Sequence, residues 1–144
     1  NCTILRQGLD KYSHVLSFSL PTHATSWSPD IGFSWDSTGC KSECSWFGFK
    51  IQVNLTSKFT RTDLARYLDE NKIGNRMLFG GNLVRQPAFV DLLSTQPNAF
   101  RTIGDLSGSD QIMNDTLFIG TYPGLTRSML DSVISVINNY CCKK

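Results

Sequence analysis

Between positions 46 and 55 the chain reads Trp-Phe-Gly-Phe-Lys-Ile-Gln-Val-Asn-Leu. From Phe47 onward the apolar residues fall on every second position, through Phe49, Ile51, Val53 and Leu55, with Lys50, Gln52 and Asn54 between them. A period of two is the period of a strand, so this segment predicts one with a buried and a wet face. Leu5, Leu9 and Tyr12 instead have helical spacing and predict the end of a helix near the start of the chain. Residues 15–20, Val-Leu-Ser-Phe-Ser-Leu, alternate from Leu16 and predict a strand ended by Pro21. Thr60 followed three residues later by Asp63 predicts a capping box. Leu64, Tyr67 and Leu68 then give the apolar stripe of a short helix, and Asn71 and Gly74 suit its end.

The second half of the chain is patterned in shorter pieces. Met77, Leu78 and Phe79 predict a short strand that Gly80-Gly81 must break. Pro87 suits the first turn of a helix carrying Phe89, Leu92 and Leu93. Residues 106–113 predict another short helix, capped by Ser107 or Ser109. Residues 116–119 predict a strand ending at Gly120, followed by a turn at Pro123-Gly124. Thr126 is the expected cap of the last helix. Leu125 and Leu130 have the spacing of a hydrophobic staple, and Leu130, Val133, Ile134 and Ile137 continue its stripe.

Residues 22–45 break this order. Pro29, Gly32, Gly39 and many Ser and Thr residues predict a long surface loop. Trp27, Phe33 and Trp35 are unusual in such a loop and must either pack back on the domain or contact another chain. Interleaved amphipathic strands and helices predict an α+β fold, a small, mostly antiparallel sheet covered on one side by helices. A length of 144 residues fits one domain. Its expected parts are a helix end and first strand over 1–21, the loop over 22–45, and an α+β core over 46–144. The chain opens Asn1-Cys2-Thr3 without an initiator Met, and is expected to begin inside a longer protein.

Composition narrows the function classes. Apolar residues make up 40% of the chain, charged residues 18%, and the net charge is +2. That supports a folded core, and the scattered Lys and Arg residues give no nucleic-acid stripe. No segment approaches the roughly 18 apolar residues that a membrane helix needs. The five cysteines, Cys2, Cys40, Cys44, Cys141 and Cys142, are odd in number and absent from the core-like segments, which argues against a disulfide scaffold. Cys40 and Cys44 lack further ligands nearby, so no metal site is expected. The sequons at Asn1, Asn54 and Asn114 are expected to be inert in a cytoplasmic protein.

Chemistry-bearing motifs are few. There is no dinucleotide fingerprint, Walker motif, metalloprotease motif or nucleophile elbow, and no aromatic platform for bases emerges. His14 and His23 have no acidic or cysteine partner at useful spacing and are expected on the surface. The densest polar cluster is Asn75-Arg76 with Gly80-Gly81-Asn82-Leu83-Val84-Arg85-Gln86-Pro87. Its glycines allow close backbone approach, and its arginines can grip carboxylate or phosphate with paired donors. The competing expectation is a solvent-facing loop whose arginines pair with Asp91 or Asp105. Asp105, Asp110, Asn114 and Asp115 form a second polar group, expected to serve helix capping.

These same stretches carry a resemblance. Ser45-Trp46-Phe47-Gly48-Phe49, residues 67–79, the run Gly80-Gly81-Asn82-Leu83-Val84-Arg85-Gln86-Pro87-Ala88-Phe89 and residues 113–126 resemble the C-terminal part of sugar-nucleotide 3-dehydrases. Those enzymes belong to the DegT/DnrJ/EryC1/StrS aminotransferase family, and the resemblance is to its lipopolysaccharide O-antigen branch. It covers residues 45–140. It implies the small C-terminal domain of the fold type I aminotransferase architecture, which closes over the cleft of a large cofactor domain. It implies pyridoxal phosphate or pyridoxamine phosphate in the complete enzyme, a nucleotide-sugar substrate, a homodimer and a reductase partner. The family's catalytic histidine, phosphate-binding loop and cluster cysteines have no match in this sequence. His14, His23, Cys40 and Cys44 do not stand in for them, and Asn75 stands where relatives more often have Thr.

Carried over position by position, Arg76, Asn82, Arg85 and Gln86 match the family's small-domain motifs. They are the expected substrate-binding residues, the arginines as cationic donors and the amides as polar contacts. No catalytic, cofactor-binding or metal-binding residue is expected, and the chain alone is expected to be inactive. The alternatives are a non-catalytic binding or assembly module, which the aromatic loop at Trp27 and Trp35 motivates, and the small domain of a nucleotide-sugar aminotransferase.

Overall fold

The computed structural model describes residues 1–36 and 45–143. Helix α1 (Cys2–Leu9) runs into a 3-10 turn at Asp10–Tyr12, and strand β1 follows at Leu16–Ser17. β1 is shorter than its alternation predicts. It pairs with β4 (Gly48–Val53) only through Leu16↔Val53 and Ser17↔Gln52, and beyond that Leu20 is exposed. Helix α2 (Arg61–Glu70), strand β5 (Asn75–Met77), helices α3 (Pro87–Thr95) and α4 (Ser107–Asp115), strand β6 (Thr116–Gly120) and helix α5 (Arg127–Cys141) complete the main body. The main sheet has the order β1-β4-β6-β5, and every pairing is antiparallel.

One face of this sheet is the core. Phe49, Ile51 and Val53 of β4 and Leu117 and Ile119 of β6 are buried, the alternation read from the sequence. Against them lie Leu5 and Leu9 of α1, Leu64, Ala65 and Leu68 of α2, and Leu130, Ile137 and Tyr140 of α5, all in one hydrophobic cluster. The ends of the alternating run depart from expectation. Phe47 and Leu55 lie just outside β4 and are 65% and 84% exposed. Helices α3 and α4 bring no fully buried residue to the core.

Capping follows the sequence closely at two helices. The Thr60 hydroxyl accepts from the Asp63 N–H and the Asp63 carboxylate accepts from the Thr60 N–H, a reciprocal box that satisfies two otherwise unpaired donors. Thr126 accepts from the Met129 N–H at the start of α5. At α4 neither Ser107 nor Ser109 is the cap. Leu106 occupies the N-cap position with φ 58°, and Asp105 before it accepts from the Ser107 N–H at 3.0 Å. At the end of α2, Lys72 rather than Gly74 takes the left-handed conformation, with φ 62°.

The largest correction lies within 22–45. Part of the expected loop is a hairpin of β2 (Ala24–Ser28) and β3 (Gly32–Trp35), with Trp27 opposite Phe33. Its first strand, Ala-Thr-Ser-Trp-Ser, is too small and polar to produce a hydrophobic alternation. The aromatics pack back on the domain. Trp27 Nε1 donates to Asp10 Oδ1 at 3.0 Å, and the Arg6 guanidinium lies 4.4 Å from the Phe18 ring centre and 5.1 Å from that of Trp27. Trp35 stacks on Trp46 with centroids 5.9 Å apart. Cys40 and Cys44 lie outside the described residues. Among the described residues, Cys2, Cys141 and Cys142 are free, and no helix is long and apolar enough to cross a membrane.

Candidate functional site

The segment from β5 to α3 is held in shape by its own polar side chains. The strand expected at Met77, Leu78 and Phe79 lies instead at Asn75–Met77, so it ends before Gly80-Gly81, and the left-handed turn begins at Phe79. Phe79 has φ 47° and Gly81 has φ 59°. At Gly81 an added Cβ would also stand 2.6 Å from Met113 Cγ, so the backbone approach to α4 needs glycine. A 3-10 turn at Leu83–Arg85 follows, and the Asn82 side chain caps it by accepting from the Val84 N–H at 3.3 Å.

Arg85 forms a fork on Asp110, Nε to Oδ1 at 3.0 Å and an outer nitrogen to Oδ2 at 2.8 Å. The partner is therefore Asp110, not Asp91 or Asp105, which are nearer in sequence. The Asn82 amide donates to the same Asp110 Oδ1 at 2.8 Å. The Arg85 guanidinium and the Asn82 amide together hold the Asp110 carboxyl down to about 2. Of the second polar group, Asp105 accepts from the Ser107 N–H just before α4, whereas Asp110 reaches across to the glycine loop. Gln86 Nε2 donates to the Gly80 carbonyl at 2.7 Å and closes the loop on itself.

The four expected binding residues thus divide. Asn82 is buried with both ends of its amide committed. Arg85 is in the fork, although its side chain is 59% exposed. Gln86 spends its amide N–H on the loop. Arg76 is exposed on β5 and donates only to the Asn75 carbonyl, at 2.8 Å, among the bonds of the described residues. Asn75 is buried, its amide donating to the Ala65 carbonyl and to Asp69 Oδ1 at 2.8 Å, which ties β5 to α2.

Arg76 belongs to the face of the sheet away from the core. Register places it opposite Phe118 of β6, and Phe118 is in turn opposite Lys50 of β4. The Phe118 ring lies over Gly48, where an added Cβ would stand 2.6 Å from it. Two further rings close on it. Phe47 meets Phe118 edge-on at 5.5 Å, and Phe79 lies 6.0 Å from Phe118 and 6.2 Å from Phe47. Phe79 is 75% exposed. An aromatic platform that the sequence does not announce is therefore present. Its three rings come from distant segments, and Phe47 reads in sequence as one more buried position of β4.

The histidines take no part in this face. His14 is exposed beside Tyr12, with ring centres 6.3 Å apart, and His23 sits at the hairpin start with φ 70°. Among the described residues no group of three His, Cys, Asp or Glu side chains could hold a metal ion. A pyridoxal phosphate site wants a lysine or histidine at the reacting carbon and donors around a phosphate. Here Arg76 is exposed, Lys50 is half-buried on the same side of the sheet, and both histidines lie elsewhere. This set does not by itself fit the cofactor.

Comparison with known proteins follows the same residues. Residues 32–138 match the model of the DegT/DnrJ/EryC1/StrS aminotransferase family. The chain is 47% identical over 100 residues to the lipopolysaccharide biosynthesis protein RfbH of Salmonella typhimurium, covering 69% of this chain and 22% of that one. It is 38% identical over 102 residues to a dTDP-4-dehydro-2,6-dideoxy-D-glucose 3-dehydratase of Saccharopolyspora spinosa, covering 71% of this chain and 21% of that one. Among solved structures it resembles the E. coli GDP-4-keto-6-deoxy-D-mannose-3-dehydratase with bound hydrated PLP, with a TM-score of 0.62 and 20% identity, over 94% of this chain and 30% of that one. The α+β fold is thus one that occurs within larger enzymes of the aminotransferase architecture. With the family model matched from β3 almost to the end of α5, this chain belongs to the DegT/DnrJ/EryC1/StrS aminotransferase family.

Proposed function

We propose that this chain is the substrate-side small domain of a nucleotide-sugar 3-dehydratase that uses pyridoxal phosphate or pyridoxamine phosphate in deoxysugar and lipopolysaccharide biosynthesis. The observation that carries this reading is the 47% identity to a lipopolysaccharide biosynthesis protein within the matched family segment. A dTDP-4-dehydro-2,6-dideoxy-D-glucose 3-dehydratase among the relatives supports it. The cofactor supplies the electron sink for loss of a sugar hydroxyl and is held by the larger part of such an enzyme. From the family resemblance the reading also takes a homodimer and a reductase that delivers electrons.

In this reading Arg76 and the exposed side of Arg85 offer donors to the nucleotide sugar, and Gln86 contributes an amide contact. Asn82 acts through Asp110. It braces the carboxylate that holds Arg85, so Arg85 enters the cleft already oriented and loses little side-chain freedom on binding. A chimera tests this. Residues 45–143 replace the matched segment of the Salmonella relative, and consumption of a nucleotide-linked 4-keto-6-deoxysugar is measured. The expected result is turnover that depends on added cofactor. A soluble, cofactor-loaded chimera without turnover overturns the reading.

A further inference from the structure

Side chains of α4 shape the glycine loop. Asp110 takes the Arg85 fork and the Asn82 amide, and Met113 lies against Gly81, where an added Cβ would stand 2.6 Å from its Cγ. Residues three apart share one face of a helix. A rotation of α4 by one position, about 100°, would therefore carry both away from the loop. The helix has little of its own to prevent that. It is nine residues long, carries Gly108 in its first turn and brings no buried residue to the core. A helix so short is marginal without outside support.

Support comes from Arg61, the first residue of α2. Its Nε donates to the Asn114 carbonyl at 3.0 Å and an outer nitrogen donates to the Met113 carbonyl at 3.4 Å. Both carbonyls belong to the last turn of α4. Acceptors there lack partners within the helix, and the negative end of the helix dipole favours a cation. The helix has no basic residue of its own in that turn. Consecutive carbonyls stand about 100° apart around a helix, so a guanidinium bridging both opposes rotation. Arg61 is itself fixed at its base. It follows Thr60 of the capping box, and Leu64, Ala65 and Leu68 of the same helix lie in the core. Contacts thus run from the core through α2 and Arg61 to the end of α4, and from the Asp110–Met113 face of α4 to the glycine loop. We propose that Arg61 is a positioning residue for that loop, holding the rotation of α4 that presents Asp110 to Arg85 and Asn82, and Met113 to Gly81. Its effect on substrate binding rests on the reading of Arg85 above, and its effect on the loop does not.

The test follows the Asp110 carboxyl and the amides of residues 80–85 by NMR in the isotopically labelled full chain. Arg61→Gln should raise the Asp110 titration from about 2 to about 3 or above, towards the ordinary value of roughly 3.9. The loop amides should shift with it, while unchanged amides in β4 and α5 check that the variant folds. Arg61→Lys keeps a cation at the helix end and should recover about half of the displacement. Arg66→Gln is the control. It removes the same charge from a side chain of α2 that pairs with Asp63, and it should leave Asp110 unmoved. In the chimera, Arg61→Gln should raise KM about threefold to tenfold with kcat within about twofold. In an Arg85→Gln background the same change should add less than about twofold. Unmoved Asp110 and loop signals, an equal displacement by Arg66→Gln, or a KM effect that persists in full in the Arg85→Gln background would each overturn the proposal. If Asp110 moves as described while the chimera's KM ignores both variants, Arg61 stands as a positioning residue and Arg85 loses its place in substrate binding. If the chimera is folded and inactive while Asp110 still moves, the dehydratase reading falls alone.

Discussion

Leu117 and Ile119 of β6 are buried under helices, while Phe118 between them faces the other way and meets two exposed rings. The same contrast runs along β4, where Ile51 is sealed in the core and Lys50 beside it lies on the open side. The covered face is held by aliphatic packing against three helices. The open face is decorated by residues that come largely from outside the strands, Phe47 before β4 and Phe79 after β5. The buried aliphatic packing and the exposed aromatic cluster are thus separated by a single pleat. A substitution on one side should leave the other nearly untouched.

The largest effect is expected on the covered side. Ile51→Ala empties a fully buried site and should cost about 3 kcal/mol in urea unfolding. A loss below about 1 kcal/mol would mean that the covered face is not the stabilising one. Next comes the helix layer. Thr60→Ala removes the capping box of α2 and should cost about 1 kcal/mol by the same measurement.

The glycine loop is tested by pH. The folded Asp110 carboxyl is depressed to about 2, against roughly 3.9 when unfolded, so its contribution is complete above about pH 4 and is lost as pH falls through 2. Asp110→Asn should therefore lower the thermal midpoint at pH 6, and the difference from the parent chain should close near pH 2. A difference that persists at pH 2 would assign the effect to something other than the Arg85 fork. The smallest change is expected on the open side. Phe47→Ser should alter unfolding free energy by no more than about 0.5 kcal/mol, since most of that ring is already in water. If it matched Ile51→Ala, the division between the faces would collapse.

The covered face was legible because burial imprints a period. Phe49, Ile51 and Val53 alternate, Leu64 and Leu68 are one helical turn apart, and Thr60 and Thr126 announce their helices through local hydrogen bonding. Local rules failed where the partner is distant or the signal is polar. Asp110 stabilises Arg85 from another helix, and no spacing rule favours it over Asp91 or Asp105. The β2–β3 hairpin hid in small hydroxyl residues, with only Trp27, Phe33 and Trp35 to betray it. The roles of Arg76, Asn82, Arg85 and Gln86 were drawn from family likeness, and the fold adds a distinction that likeness does not contain. Asn82 is a brace, while Arg76 is a free hand.

Phe79 holds its ring out on a backbone that a bulky side chain adopts only at a cost of about 1 kcal/mol. Glycine would relieve that strain and delete the ring in the same stroke. A library sorted for thermal resistance should therefore drift toward glycine at this position.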